Sequence, residues 1–206
     1  MALVLFLVQV FVISFSGALQ PGPVTASAVA MGVRNRWAGA LLAVGHAIIE
    51  FPLMIFVTIG LGSVLQKAAV KITILIAGGF ILLYMAYGMF NSAGKQTNVR
   101  KQAREDRPVL AGVVLTASNP YFLLWWATIG LGLAVEATGF GIYAFVLFAV
   151  VHWLVDLFWV SLLSMASFHG TAVLGPKLQE IVLRVCAAAM LLFGLRFLYN
   201  GAVALF

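Results

Sequence analysis

The chain has 206 residues, of which 64% are hydrophobic and only 9% are charged. A typical soluble domain is about 45–50% apolar and about 25% charged, and a chain this short cannot hide so much apolar surface in a water-soluble core. The composition excludes a soluble enzyme, a nucleic-acid-binding protein and a disordered scaffold. The net charge of +6 is typical of basic residues collected in cytoplasmic loops.

The apolar run at residues 2–13 begins the chain, and no basic residue precedes Arg34. A secretory signal peptide carries a positively charged segment ahead of its apolar core. We therefore expect this run to be retained as the first helix rather than cleaved.

Six stretches of the chain have the character of membrane spans, since a helix that crosses the hydrocarbon core needs about 20 mostly apolar residues. They are residues 2–32, 38–62, 72–92, 108–135, 141–165 and 181–204. The sequence predicts an all-α, polytopic membrane protein with six transmembrane helices in a single transmembrane domain over 1–206.

Charge is concentrated in the loop at residues 93–107, which holds seven charged residues. With six spans, the basic residues on the side of this loop are Arg34, Arg36, Lys95, Arg100, Lys101, Arg104, Arg107, Lys177 and Arg184, and those on the other side are Lys67 and Lys71. Because cytoplasmic loops collect Lys and Arg, we expect the loop in the cytoplasm and both termini outside, in the cell membrane.

The two halves of the chain repeat a weak pattern in the same order. Gln20-Pro21 corresponds to Asn119-Pro120, and His46 through Glu50 corresponds to His152 through Asp156. Each half has three spans, an odd number, so the second half enters the membrane from the opposite side. The pattern predicts two inverted three-helix repeats, 1–92 and 108–206, as in many secondary transporters.

The prolines are expected to break the first helix of each repeat, because proline removes a backbone hydrogen bond. Freed carbonyl groups are tolerated at membrane depth only where protein or a watery cavity satisfies them. Matched breaks in inverted repeats indicate a central binding site, although a single proline kink would be ordinary. The half-helices that follow are expected to offer N–H groups to a substrate carboxylate. The candidate residues are Gln20, Pro21, Gly22, Pro23, Asn119 and Pro120.

Away from the loops and the span ends, three charged residues remain inside the predicted spans, namely Glu50, Asp156 and Arg196. A charge at the membrane midplane costs at least about 2.5–3.5 kcal/mol, so such residues usually face a cavity. His46 and His152 each precede an acid by four residues, which brings the two side chains of each pair to one helical face. Two such pairs would make a proton-binding centre. Alternatively, the histidines are structural and bond neighbouring helices.

Arg196 lies ten residues before the C-terminus. Its guanidinium could reach the membrane interface or bind a substrate carboxylate, and its position favours the interface. The residues Trp125, Trp126, Trp153 and Trp159 are expected to be interfacial or lipid-facing anchors. Because Trp153 and Trp159 flank Asp156, one of them could instead line a cavity.

Five motifs occur in order over essentially the whole chain. They are Pro21-Gly22-Pro23, Gly45-His-Ala-Ile-Ile-Glu50, Ser118-Asn119-Pro120, Val155-Asp156-Leu-Phe-Trp159 and Phe193-Gly194-Leu195-Arg196. In these residues the chain resembles the LysE/RhtB amino-acid exporter family of the lysine exporter superfamily. The resemblance implies efflux of amino acids or related small molecules in exchange for protons, with the helix breaks and the two acids at the transport site. Glu50 stands where most members of that family carry Asp.

The sequence leaves a second class of transporter open. A divalent metal cation exporter could use His46, Glu50, His152 and Asp156, because mixed imidazole and carboxylate ligands suit a transition metal. A membrane enzyme is disfavoured, since Cys186 is the single cysteine and no nucleophile stands beside a base. The expected partners are a small-molecule substrate, protons and the lipid bilayer, with no cofactor and no nucleic acid. A homo-oligomer is left open.

Overall fold

The computed structural model describes residues 1–19, 22–61, 64, 67–93, 107–174 and 176–204. Within these residues there are helices and no strand, so the all-α prediction is confirmed. The helices are α1 (Ala2–Ala18), α2 (Pro23–Gly32), α3 (Ala38–Phe56, extended by a π-helical turn at Val57–Leu61), α4 (Ala68–Ala93), α5 (Pro108–Ala117), α6 (Pro120–Gly139, with a π-helical turn at Trp126–Gly130), α7 (Ile142–Leu174) and α8 (Pro176–Val203).

Five of the helices are long and apolar enough to cross a membrane, namely α3, α4, α6, α7 and α8. The pair α1 and α2 makes a sixth span if it is counted as one, with a bend of 73° between its two helices. The chain is therefore a polytopic, all-helical membrane protein. Each predicted apolar stretch coincides with one of these helices or, for the first and fourth stretches, with a pair of consecutive helices.

Four helices extend beyond the stretches that predicted them. The helix α4 begins at Ala68 rather than at 72, α6 continues to Gly139 rather than to 135, α7 continues to Leu174 rather than to 165, and α8 begins at Pro176 rather than at 181. Hydropathy marks only the part of a helix suited to lipid, whereas backbone hydrogen bonding continues into the polar ends. In α8, Glu180 and Arg184 form an ion pair across one such turn, and this spacing stabilises helices.

The fourth apolar stretch is broken between α5 and α6. The helix α6 begins with Pro120, whose missing N–H is not needed at the first position of a helix. Asn119 precedes it, and its side-chain oxygen accepts hydrogen bonds from the N–H groups of Tyr121 and Phe122, at 3.1 and 3.4 Å. Asn119 is thus the N-cap of the second half-helix.

The first apolar stretch is broken between Ala18 and Pro23, and α2 also begins with a proline. Gly22 precedes it in an extended conformation and has no side chain with which to cap α2. Gln20 and Pro21 lie outside the described residues. The breaks therefore occur in both predicted stretches, and among the described residues a side chain at the N-cap position bonds the following helix at the second break, where Asn119 stands.

Glycines bring helices from the two halves into backbone contact. A Cβ atom at Gly112 of α5 would lie 3.1 Å from Cα of Gly45 on α3. In the same way, a Cβ at Gly79 of α4 would lie 3.0 Å from the carbonyl oxygen of Gly194 on α8, and a Cβ at Gly194 would lie 3.1 Å from that of Gly79. Small residues of this kind allow close packing of membrane helices.

An apolar cluster joins α1, α3, α6 and α7. Trp126 and Phe148 are fully buried in it, and Phe6 and Met54 pack there from α1 and α3. Because lipid tails are as apolar as these side chains, helices associate through close packing and interhelical hydrogen bonds rather than through a hydrophobic driving force. The cluster packs together the four helices that carry Glu50, both histidines and most of their partners.

Candidate functional site

Glu50 lies within α3, and its side chain is fully buried. Three nitrogen atoms contact one of its oxygens, Oε1: His46 Nε2 at 3.0 Å, His152 Nε2 at 3.1 Å and Trp126 Nε1 at 3.3 Å. The indole N–H can only donate, so Trp126 donates to Oε1. The contacts come from α3, α6 and α7. They supply the partners that a buried carboxyl group requires.

A hydroxyl group holds each histidine at its other ring nitrogen. His46 Nδ1 lies 2.8 Å from Thr116 Oγ1, and His152 Nδ1 lies 2.6 Å from Ser14 Oγ. In a neutral ring whose Nε2 donates to Glu50, Nδ1 is an acceptor and the hydroxyl donates to it. Each hydroxyl therefore stabilises the tautomer and ring orientation that direct an N–H group at Glu50.

These hydroxyl contacts connect the two halves of the chain. His46 on α3 is bonded to Thr116 on α5, and His152 on α7 is bonded to Ser14 on α1. Each histidine thus belongs to one predicted repeat and contacts the first helix of the other. The histidines were expected either to take part in proton binding or to be structural, and their contacts are compatible with both roles. In each ring Nδ1 bonds a neighbouring helix, while Nε2 contacts the carboxyl group of Glu50.

Asp156 lies one turn after His152 on α7, with 20% of its side chain exposed. Its Oδ2 is 3.5 Å from His46 Nε2 and 3.7 Å from His152 Nε2, longer than an N–H···O hydrogen bond of about 2.7–3.2 Å. The second oxygen of Glu50, Oε2, is buried and has no hydrogen-bond partner among the described residues. The two acids are therefore unequal: Glu50 is held tightly through one oxygen, and Asp156 is held loosely.

A cavity of about 430 Å³ opens beside these groups. Its volume falls within the range of small-molecule sites, about 300–1,000 Å³. The wall contains Glu50, Asp156 and both histidines, together with residues from both helix breaks and six Phe, Tyr and Trp side chains. The break residues are Gly22, Pro23 and Asn119, and the aromatic residues are Tyr121, Phe122, Trp125, Trp126, Trp159 and Phe193.

The predicted site residues have different positions relative to this cavity. The four members of the two acid–histidine pairs come together on its wall, and so do Gly22, Pro23 and Asn119. Pro120 is buried and does not line the cavity. Gln20 and Pro21, as noted above, are not among the described residues.

Arg196 also lines the cavity, with its guanidinium carbon 5.9 Å from the centre of the Tyr121 ring. At this distance a cation is attracted by the face of an aromatic ring. The position on the cavity wall favours the substrate-facing alternative for Arg196 over the interfacial one that the sequence favoured.

Three residues that bond Glu50 or its two histidines were not predicted as site residues. Trp126, expected to be an anchor at the lipid or the interface, is fully buried and bonds Glu50. Ser14 and Thr116 are two of many hydroxyl residues in apolar helices, and nothing in their spacing links them to the histidines. A signal for Trp126 did exist, since it follows the Asn-Pro break within two helical turns.

The expectation that both half-helices offer free N–H groups is wrong for α6. Its Tyr121 and Phe122 amides are bonded to the Asn119 side chain, and the Leu123 amide is bonded to the Asn119 carbonyl oxygen. The helix therefore has its own cap. The residue before α2 is Gly22, which has no capping side chain. Val24 and Thr25, in the first turn of α2, line the cavity.

Part of the cluster could also hold a metal ion. One ligand atom each from His46, Glu50 and Asp156 lie within 4.8 Å of one another. Imidazole and carboxylate ligands in this combination suit first-row transition metals.

A polytopic helical bundle with paired helix breaks and a central cavity lined by buried ionisable groups defines a membrane transporter. The sequence model of the LysE type translocator family matches residues 15–201, which is most of the chain. The protein belongs to this family, and the resemblance found in the sequence motifs is confirmed.

Comparisons with curated proteins and with solved structures gave no significant match.

Proposed function

We propose that this translocator is a proton-coupled exporter of amino acids or related small organic solutes, and that it works by alternating access between its two halves. The observation that carries the proposal is the buried Glu50, whose Oε1 is shared by His46 and His152 on the wall of the cavity. Ionisable side chains inside membrane proteins are costly and commonly form proton relays.

Glu50 is the group that carries the proton in this proposal. Its Oε1 already has three nitrogen partners, whereas Oε2 has none among the described residues. A proton on Oε2 would neutralise the carboxyl group and leave Oε1 available as an acceptor. The proton can therefore be gained and lost without loss of the three contacts that hold the side chain.

The histidines relate this proton to the two halves of the protein. When Glu50 loses its charge, the bonds from both Nε2 atoms weaken, since hydrogen bonds to charged groups are the stronger ones. Through Nδ1 the same rings contact Thr116 on α5 and Ser14 on α1. The charge of one carboxyl group thus biases contacts between the halves, as a transition between two states requires.

The substrate is proposed to bind in the 430 Å³ cavity between the two helix breaks. The first turn of α2 can attract a substrate carboxylate, because a helix N-terminus carries partial positive charge. The corresponding turn of α6 is already capped by Asn119. On the same wall, Arg196 supplies a full positive charge for that carboxylate.

We further propose that the protein resides in the cell membrane, with the 93–107 loop in the cytoplasm and both termini outside. The support is the distribution of basic residues, because Arg34 and Arg36 share a side with that loop and only Lys67 and Lys71 lie opposite. Basic residues near span ends determine orientation.

The test uses the purified full-length protein in liposomes and compares export driven by a pH gradient with exchange at equal pH. Glu50→Gln keeps an acceptor for the three nitrogen groups but cannot carry a proton. We expect it to lose pH-driven export and to retain exchange. Asp156→Asn is expected to lose both, because Asp156 faces the cavity.

Glu136→Gln is the matched control, since Glu136 is an exposed acid in α6 that does not line the cavity. This variant should behave as the unaltered protein. Unchanged pH-driven export in both Glu50→Gln and Asp156→Asn would overturn the proposal.

Export of a divalent cation is the second candidate, because His46, Glu50 and Asp156 bring ligand atoms within 4.8 Å of one another. Against it, His46 Nε2 is already engaged with Glu50, and ligation would require this nitrogen to give up its hydrogen. Uptake of Mn²⁺ or Zn²⁺ into liposomes that contain a metal indicator distinguishes export of a divalent cation from export of an amino acid. Metal flux without amino-acid flux would favour this candidate.

A further inference from the structure

The cavity wall contains an uneven set of charges. Two histidines and Glu50 satisfy one another through the shared Oε1. That leaves two full charges on the wall with no opposite charge closer than 3.5 Å among the described residues, namely the carboxylate of Asp156 and the guanidinium of Arg196. The character of these two groups limits which solutes the cavity can hold.

Asp156 is a loosely held anion. Its closest basic atoms are the two histidine Nε2 nitrogens at 3.5 and 3.7 Å, and a fifth of its side chain remains exposed. An ammonium group has three N–H donors and no acceptor, so it can bond Asp156 without displacing the histidines from Glu50.

Arg196 is a loosely held cation. Its contact is with the face of Tyr121, and within the part of the chain that the structure describes it forms no ion pair with a carboxylate. A guanidinium group matches a carboxylate with two parallel N–H donors. Trp159 adds a further donor to this wall, because its Nε1 is buried without a hydrogen-bond partner among the described residues.

The rest of the wall is largely aromatic. Phe122, Trp125, Trp126 and Phe193 line it beside Tyr121 and Trp159. Such a surface favours a bulky apolar group, whereas a further charge on the solute would lose its hydration with no opposite charge to replace it.

We propose that the solute is an α-amino acid with a bulky, uncharged, apolar side chain, whose ammonium group pairs with Asp156 and whose carboxylate pairs with Arg196. This inference rests on the proposed function, in which Glu50 is reserved for the proton. A basic amino acid would need another free carboxylate, and an acidic one would need another free cation. A small amino acid would leave the aromatic wall uncovered.

The test is counterflow with the full-length protein in liposomes at equal pH. Vesicles loaded with unlabelled phenylalanine take up labelled phenylalanine, and leucine, lysine, glutamate, glycine or phenylalaninamide is added outside as competitor. We expect leucine to compete well. Lysine, glutamate and phenylalaninamide, which lacks the carboxylate, should each compete about a hundredfold more weakly. Competition by lysine or glutamate equal to that of leucine would overturn the assignment, as would equal competition by phenylalaninamide.

Arg196→Gln provides a second arm. It should lose phenylalanine counterflow, while Arg184→Gln should retain it, because Arg184 lies on the same helix in an exposed ion pair with Glu180. Unchanged counterflow in Arg196→Gln would overturn the carboxylate assignment. If the variant does not fold, competition by phenylalaninamide in the unaltered protein still tests whether the substrate carboxylate is recognised.

The two proposals can fail separately. Lysine export driven by a pH gradient, without phenylalanine counterflow, would overturn the solute class and leave proton-coupled export standing. Phenylalanine counterflow at equal pH, without phenylalanine export when a pH gradient is imposed, would overturn proton coupling and leave the solute class standing.

Discussion

His46 and His152 share a single carboxyl oxygen of Glu50, although 106 positions separate them in the chain, since their Nε2 atoms lie 3.0 and 3.1 Å from Oε1. Neither histidine depends on its own half alone, because a hydroxyl on the first helix of the other half bonds its Nδ1. One buried carboxyl group thereby joins helices from both halves.

Removal of the Ser14 hydroxyl should destabilise the protein and slow transport. In Ser14→Ala, Nδ1 of the buried His152 loses its partner, and an unpaired buried polar atom costs about 1–3 kcal/mol. The free energy of unfolding in mixed micelles measures the loss. Ser16→Ala is the control on the same helix, because the Ser16 hydroxyl bonds only the exposed backbone at Ile13. Equal effects of both variants would contradict the role of the Ser14 contact.

The Thr116 hydroxyl should be coupled energetically to that of Ser14. Thr116→Val preserves shape and removes the hydroxyl, whereas Thr116→Ser keeps it. Because both hydroxyls act through the same Glu50 oxygen, the double variant with Ser14→Ala should deviate from additivity by about 0.5 kcal/mol or more. A double-mutant cycle on the free energy of unfolding checks this. Strict additivity would mean that the two halves are not linked through Glu50.

Trp126→Phe should reduce transport more than Trp153→Phe does. The first variant removes an N–H group that donates to Glu50 at 3.3 Å. The second removes one that donates to the carbonyl oxygen of Ala43 at 3.0 Å, away from the carboxyl group. Each loses a hydrogen bond worth about 0.5–3 kcal/mol of stability, with the larger values for charged acceptors. Export rates and melting temperatures of both variants distinguish a site effect from a general loss of stability.

Gly112→Ala should destabilise the bundle. The added methyl group would meet the backbone of α3 at Leu42 and Gly45, and overpacking of this kind costs about 1–3 kcal/mol. Gly132→Ala is the control within α6, because no described residue outside its own turn of helix has an atom within 4 Å of its Cβ position. Thermal unfolding in detergent should separate the two variants, and a loss of the same size in Gly132→Ala would argue against close packing as the cause.

Cysteine labelling should reveal the proposed orientation. In a Cys186→Ala background, which removes the buried free thiol, Lys67→Cys should react with a membrane-impermeant maleimide in intact cells. Arg36→Cys should react only after the cells are opened, because the positive-inside rule assigns Arg36 to the cytoplasm. Both positions are exposed. The opposite pattern of labelling would invert the topology.

The sequence by itself determined the membrane class, the apolar stretches and the helix breaks, and it predicted that the two acids belong to one site. Each of these follows from local chemistry: hydropathy selects the spans, proline interrupts a helix, and a midplane charge is too costly to be incidental. The ends of α4, α6, α7 and α8 were missed because helices continue past the apolar residues that identify them.

Only the tertiary structure decided which atoms meet. The i, i+4 spacing related His46 to Glu50, but it could not reveal that His152 also reaches Glu50 or that Asp156 stays loosely held. The spacing also could not distinguish Trp126, which bonds Glu50, from the other tryptophans. It could not reveal that the Asn119 side chain caps α6. The reason is geometric. Helical periodicity fixes neighbours along one helix, whereas contacts between helices depend on how closely the helices pack, and here close packing depends on glycines such as Gly45 and Gly112.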